Sequence, residues 1–325
     1  MLDRSSGESS ADKSRNTDQV NANTDRAAGP PFVKIGFVGL GLMGTAMATN
    51  LASFGHRVHA FVRRPEQMTA LRMPGIVPTM HMQDLFGCDM VISMLPDDLA
   101  VRNVFFGTSN GIDGLANHLA PAAIHLSMST ISTAAAAEFA DEHQRRGQGY
   151  VAAPVFGNPA AAKARQLSII VAGAAGYCER SRPLIESLGR MFVVGPEASH
   201  ANLIKLLGNM MTATSLEVLG EITTVLRKRG RDPQQFVDIM TDTMFGSRFH
   251  KIYGSRLLSG DYAPGLAMPL ALKDVRLALA EAEIAGAPIP SVSLVRDRMI
   301  TAIARGHATL DWTALGLVAL EEAGL

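Results

Sequence analysis

A chain of 325 residues, 47% hydrophobic and 18% charged, has the composition of a globular protein with room for two domains. Its 30 basic and 30 acidic residues cancel to a formal net charge of +0, which excludes the global basic field of a nucleic-acid binder or of a protein held on an anionic membrane. The two cysteines, Cys88 and Cys178, lie far apart with no CxxC pair and no histidine at zinc-ligand spacing, so no metal is expected and a reducing, cytoplasmic location is.

In chain order, residues 1–31 carry no aromatic side chain and mix Ser, Asn, Asp and Gly with charges of both signs. Such a segment cannot bury enough apolar area to offset its ordering entropy, and it lacks the apolar core of a secretory signal. A disordered tail ending at Pro30-Pro31 is expected. Ile35 to Gly55 then runs without a charge, about the length that crosses a bilayer. Two features argue against a membrane span. Val33 to Val38 is strand-like, and glycines at 39, 41 and 44 would break a helix before it started. Met43, Met47 and Leu51 then recur at helical spacing, and Arg57 to Val62 reads as a second strand.

Strand, glycine turn, helix and strand form the context in which GxGxxG binds a dinucleotide. Gly39 permits the turn, Gly41 admits the pyrophosphate and Gly44 lets the helix pack closely. The free N–H groups of the turn and first helical positions, Leu40, Leu42 and Met43 included, would meet the phosphates. Thr45 lies in the first helical turn and Thr49 reads as an outward position, so neither is a site residue. Where an NAD site places a carboxylate about 20 residues on, this chain has Arg63 and Arg64. Guanidiniums in that place point to a 2′-phosphate, hence to NADP(H) in preference to NAD(H), unless the pair is merely solvated.

Short apolar runs suggest further parallel-type strands at Met90 to Leu95, Ala123 to Leu126, Tyr150 to Ala153, Leu167 to Ala172 and Met191 to Val194, with helices between them, such as Thr133 to Arg146. Alternation of this kind implies a doubly wound α/β sheet with its ligand crevice at the carboxyl ends of the strands. Met94-Leu95-Pro96-Asp97, Ser127-Met128-Ser129-Thr130 and Pro154-Val155-Phe156-Gly157-Asn158 fall at such ends, although Asp97 and Ser129 also suit helix caps. Past residue 195 the pattern is helical. In the run Ser199 to Gly230, Lys205 and Asn209 share a face one turn apart, and the lysine is either a snorkelling surface residue or a desolvated functional amine. Lys273 and Asp274 open a further helical run ending near Gly286.

These motifs resemble the β-hydroxyacid dehydrogenases. The match covers "FVGLGLMGTAMATNL", "SMLPDD", "LSMSTIS", "AAPVFGNP", "ANLIKLLGN" and "LKDVRLAL", in the family's order. The resemblance implies a Rossmann-like domain over 32–195, an all-α domain over 196–325 joined to it by a long helix, and assembly as a homodimer or homotetramer. It makes Lys205 catalytic with Asn209 its partner, and gives Ser129, Phe156, Gly157, Asn158 and Lys273 to a small carbonyl or hydroxyacid substrate. Met94, Leu95, Pro96, Thr130, Lys273 and Asp274 would border the cofactor. The family usually reads Asp-Ala-Pro-Val-Ser-Gly-Gly where this chain has Ala152 to Asn158, so a phenyl ring replaces a hydroxyl. Asn158 or a group in the segment 244–253 could supply a replacement donor, and His250 in that segment reads as a surface or packing histidine. Imine reductases share the architecture, and a chromatin-associated branch binds NADP without catalysis. Both generally lack the lysine, which this chain retains.

Overall fold

The computed structural model describes residues 34–108, 110, 111, 113–243 and 245–325, with Arg248 described by its backbone alone. The polar segment 1–31 lies outside the described residues. The first half runs β1 (Lys34–Val38), α1 (Leu42–Ser53), β2 (Arg57–Phe61), α2 (Pro65–Ala70), β3 (Ile76–Thr79), β4 (Met90–Ser93), α3 (Asp98–Phe106), β5 (Ile124–Ser127), α4 (Thr133–Arg145) and β6 (Gly149–Ala152). These six strands pair in parallel in the order β3-β2-β1-β4-β5-β6. Strands β4, β5 and β6 are buried throughout, as strands covered on both faces by helices must be. On one face Ile35, Phe37 and Ile92 pack with Met47 and Leu51 of α1; on the other Val38 and Val91 pack with Phe105 and Phe139 of α3 and α4. The charge-free run from Ile35 is thus a strand and a helix, and no helix among the described residues is long and apolar enough to cross a membrane.

The chain continues through β7 (Val155–Phe156), α5 (Pro159–Lys163), β8 (Leu167–Gly173), α6 (Ala175–Leu188) and β9 (Gly189–Gly195). Here the expected parallel sheet is corrected: β8 is antiparallel to both β6 and β7, while β9 returns parallel to β8. The link from β6 to β8 holds only β7 and a five-residue helix, which reverses the chain instead of carrying it back along the sheet. Strand β3 had no clear signal because it is short and contains Pro78, which an edge strand tolerates.

The remainder is helical: α7 (Ala198–Lys228), α8 (Pro233–Asp242), α9 (Arg248–Ser259), α10 (Met268–Ile284), α11 (Pro290–Ala304) and α12 (Leu315–Glu322). With 31 residues, α7 spans about 46 Å at a rise of about 1.5 Å per residue. It packs on α4, β6 and β8 along one stretch and on α10, α11 and α12 along another. A Cβ on Gly220 would stand 2.7 Å from the Gly316 Cα, so this glycine sets the close crossing of α7 and α12. Two local expectations are corrected. Thr49 is half-buried, its hydroxyl donating to the Thr45 carbonyl at 2.9 Å; and Ser132, not Ser129, caps α4 by accepting from the Ala135 N–H.

A polar chain crosses the sheet's apolar layer. Ser93 Oγ lies 2.8 Å from His125 Nε2, His125 Nδ1 lies 2.9 Å from His143 Nε2, and His143 Nδ1 lies 2.8 Å from Gln148 Oε1. Because Gln148 Nε2 donates to the Ala116 and Leu119 carbonyls, its Oε1 must accept. His143 therefore carries its proton on Nδ1, His125 also on Nδ1, and Ser93 donates to His125 Nε2. Both rings are neutral, and a further proton on either would set N–H against N–H or against a donating hydroxyl. Burial pushes His143 down to about 4 from 6.5, and burial with the neighbouring His143 pushes His125 well down. Below about pH 6.5 the unfolded chain takes up protons that the folded rings refuse, so stability falls as the pH drops toward His143's folded value of about 4. Calorimetric melting between these pH values is expected to show a steep fall, on the order of a few kcal/mol in stability. A His125→Val, His143→Leu double variant should lose most of that slope, and an unchanged slope would place the acid sensitivity elsewhere.

Candidate active site

The parallel order brings the carboxyl ends of β1, β4 and β5 side by side. At the first, each glycine of the turn has its own steric reason. Gly39 has φ +97, and a Cβ there would lie 2.2 Å from the Met94 carbonyl oxygen at the end of β4. A Cβ on Gly44 would lie 2.0 Å from the Gly39 oxygen, so only glycine lets α1 meet its own turn. A Cβ on Gly41 would meet nothing within 4 Å, which leaves the helix entrance open. No side chain caps α1, and its first turn holds no acidic residue. The exposed helix N-terminus and the open cradle suit a pyrophosphate.

Leu40 is buried, its carbonyl held by Thr45 Oγ1 at 3.3 Å and Gln67 Nε2 at 3.2 Å, while Leu42 is exposed and Met43 packs on the core. Arg63 and Arg64, just past β2, are both exposed and carry no ion pair among the described residues. At the end of β4, Met94 and Leu95 are half-buried and Pro96 is exposed. Asp97 caps α3 by accepting from the Ala100 N–H at 2.8 Å. Ser129 is 1% exposed, and its hydroxyl accepts from the Leu95 N–H at 2.8 Å and donates to the Ser93 carbonyl at 3.4 Å. It pins the two loops to each other and shows no free face of its own.

Across this edge lies the buried face of α7. Its inward positions recur at Ala198, Ala201, Asn202, Lys205, Leu206, Asn209 and Ala213, so the helical period itself carries Lys205 and Asn209 inside. Lys205 is 7% exposed, which settles that it does not snorkel. Its Nζ donates to Asn209 Oδ1 at 2.7 Å, and Asn209 Nδ2 donates to Asp274 Oδ2 at 2.6 Å. Asp274 Oδ1 lies 2.9 Å from Lys273 Nζ, which donates to the Thr130 carbonyl at 2.5 Å. One chain of polar contacts thus joins α7, α10 and the loop after β5. The ring centroid of Phe156 lies 4.4 Å from the same Lys205 Nζ. Gly157 (φ +143) follows, and Asn158 caps α5 by accepting from the Ala161 N–H.

Burial pulls the Lys205 ammonium down to about 8 from 10.5; Asp274 opposes this and Lys273 adds to it. The amine can therefore both give and take a proton near neutral pH. Two residues went unnoticed in the sequence. Asn202, one turn before Lys205, is buried with its Oδ1 unpartnered, and Gly208 underlies the Phe156 ring. The helical spacing from Lys205 was the available signal for Asn202. His250 stands apart, bonded to Ser247 and lining a cavity of about 260 Å³ with Val218, Ile222, Phe236, Met240 and Phe245, none of which belongs to the Lys205 group.

The comparisons agree with this architecture in both halves. Residues 34–195 match the NAD binding domain of 6-phosphogluconate dehydrogenase, and residues 199–318 match the NAD-binding domain of NADP-dependent 3-hydroxyisobutyrate dehydrogenase. An uncharacterised oxidoreductase of Bacillus subtilis, YfjR, is 36% identical over 289 residues, covering 87% of this chain and 98% of the relative. A 3-hydroxyisobutyrate dehydrogenase of Pseudomonas aeruginosa is 31% identical over 271 residues, covering 81% and 90%. Among solved structures, the 3-hydroxyisobutyrate dehydrogenase of Mycobacterium tuberculosis with L-serine superposes with a TM-score of 0.76 at 26% identity, covering 88% of this chain and 98% of that one. With both domain types in order and relatives matched over nearly their whole length, the chain belongs to the β-hydroxyacid dehydrogenase family and is an oxidoreductase that uses a nicotinamide cofactor.

Proposed function

We propose that the chain is an NADP-dependent reductase of a small aldehyde or keto acid, or the reverse dehydrogenase, with Lys205 as the proton donor and acceptor. The observation that carries this reading is a desolvated lysine tied through Asn209, Asp274 and Lys273 to Thr130 at the carboxyl edge of the sheet. Residues 32–195 would hold the cofactor, through Gly39, Gly41, Gly44 and the neighbouring backbone, and residues 196–325 would bring the lysine to it. When bound, the nicotinamide supplies hydride to a carbonyl carbon or accepts it from an alcohol.

Because Asn209 Nδ2 donates to Asp274, Asn209 turns its oxygen toward Lys205, and one Lys205 N–H is committed to it. The ammonium keeps two further protons, and the neutral amine keeps one and a lone pair. In reduction one such proton goes to the carbonyl oxygen as its charge develops; in oxidation the lone pair takes the hydroxyl proton. Lys273, fixed to Thr130 and Asp274, adds positive charge beside the developing alkoxide. Arg63 and Arg64, unpaired and exposed where a ribose phosphate would lie, support the choice of NADP(H).

Since reduction needs the protonated lysine, its kcat/KM is expected to fall as the pH rises through about 8, and that of oxidation to rise through the same value. Replacing Asp274 with Asn removes the charge that holds the ammonium up, so both limbs should move to lower pH. Lys205→Ala should lower kcat by roughly 10²- to 10⁴-fold while fluorescence titration shows the cofactor still bound; full activity in that variant would sink the reading. An Arg63→Ala, Arg64→Ala pair should lose about tenfold or more in kcat/KM for NADPH with little change for NADH. Equal use of the two cofactors by the unaltered enzyme would refute the role given to the arginines.

A further inference from the structure

Phe156 stands where the family motif carries a serine, and the fold accommodates it at a second position. A Cβ on residue 208 would lie 2.3 Å from the ring's Cζ and 2.5 Å from its Cε1, so with the ring in this place the bare glycine at 208 is its seat on α7. Gly208 sits inside a helix of 31 residues, where glycine is a poorer helix former than alanine. Seated there, the half-buried ring holds its centroid 4.4 Å from Lys205 Nζ, within range of a cation–π contact.

The seat changes what a substrate can present beside the reacting carbonyl. A carboxylate beside residue 156 meets a ring with no hydrogen to donate, where the family motif offers a hydroxyl. The Ser129 hydroxyl, the other expected partner for a carboxylate, is already engaged as both donor and acceptor within the fold. An alkyl or aryl group in the same place gains contact area with the ring and leaves no charge unsolvated.

We propose that Phe156, seated on Gly208, is the specificity-determining residue of this chain, and that it closes the Lys205 site to carboxylate-bearing carbonyls in favour of neutral aldehydes and ketones with an alkyl or aryl substituent. This rests on the reading of Lys205 as proton donor. The reaction stays balanced: the carbonyl carbon gains hydride from reduced nicotinamide, the oxygen gains the Lys205 proton, and an alcohol and the oxidised cofactor leave.

The test is a matched pair of substrates, pentanal and succinic semialdehyde, assayed with NADPH for the unaltered chain, Phe156→Ser, Phe156→Leu and Lys205→Ala. The unaltered chain is expected to favour pentanal in kcat/KM by on the order of 10- to 100-fold. Phe156→Leu should keep that preference, and Phe156→Ser should reverse it. Calorimetric titration of the NADP-loaded protein with 4-hydroxybutyrate gives a readout apart from turnover: weak binding in the unaltered chain, at least about tenfold tighter in Phe156→Ser. A preference for succinic semialdehyde in the unaltered chain, or the same ratio in the Phe156→Ser variant, overturns the inference even while Lys205→Ala is inactive. Full activity of Lys205→Ala overturns the underlying reading instead. If the serine variant does not fold, the unaltered chain's preference, its weak affinity for 4-hydroxybutyrate and the leucine variant decide the question.

Discussion

A lysine held out of water on the inner face of α7 is the constraint on which the rest of the site depends. An isolated buried ammonium is costly, and a protein normally neutralises it or gives it partners. Here the partner is not a carboxylate in direct contact. Asn209 stands between Lys205 and Asp274, accepting from one and donating to the other. The carboxylate's influence reaches the lysine weakened, enough to oppose burial without cancelling it. A direct Lys–Asp pair would hold the proton firmly, and no partner at all would expel it. The interposed amide leaves the amine between those limits, at about 8.

The sheet supplies the other half of the geometry. Parallel strands put their carboxyl ends on one edge, and the close approach of Gly39 to the Met94 carbonyl brings the cofactor turn against the loop after β4. Ser129 then ties that loop to the one after β5, and the Thr130 carbonyl receives Lys273 from α10. Each link is short and polar, so the helical residues are registered to the sheet edge by hydrogen bonds as well as by apolar packing.

Much of this was legible in the sequence because it rests on periodicity and on steric necessity. The glycine spacing, the apolar strand runs and the four-residue offset of Lys205 and Asn209 are local signals, and the structure places them on a strand-turn-helix unit and on one helix face. What was not legible depends on partners distant in sequence. The reversed direction of β8 follows from what the preceding link can span, since its apolar run reads the same either way. Asp274's place in the lysine's chain needs α10 to lie against α7, 65 residues away in sequence. Ser129 looked suited to capping α4, but Ser132 does so, and the bond that Ser129 accepts from the Leu95 N–H joins two loops 34 residues apart.

Phe156 and Gly208 show the same lesson at one contact. Alone, a phenylalanine in place of serine reads as a lost donor, and a glycine within a helix reads as a weak point. Together they are one feature, since the ring occupies the volume that a side chain at 208 would fill. The ring also touches the ammonium that Asn209 holds, so aromatic face and amide contact the same nitrogen. The two act in opposite senses on the lysine: the ring excludes water and so favours the neutral amine, while its quadrupole favours the ammonium. A change at 156 therefore alters the lysine's solvation and the packing against α7 in one step, so the proposed selectivity and the proposed proton transfer would be physically coupled.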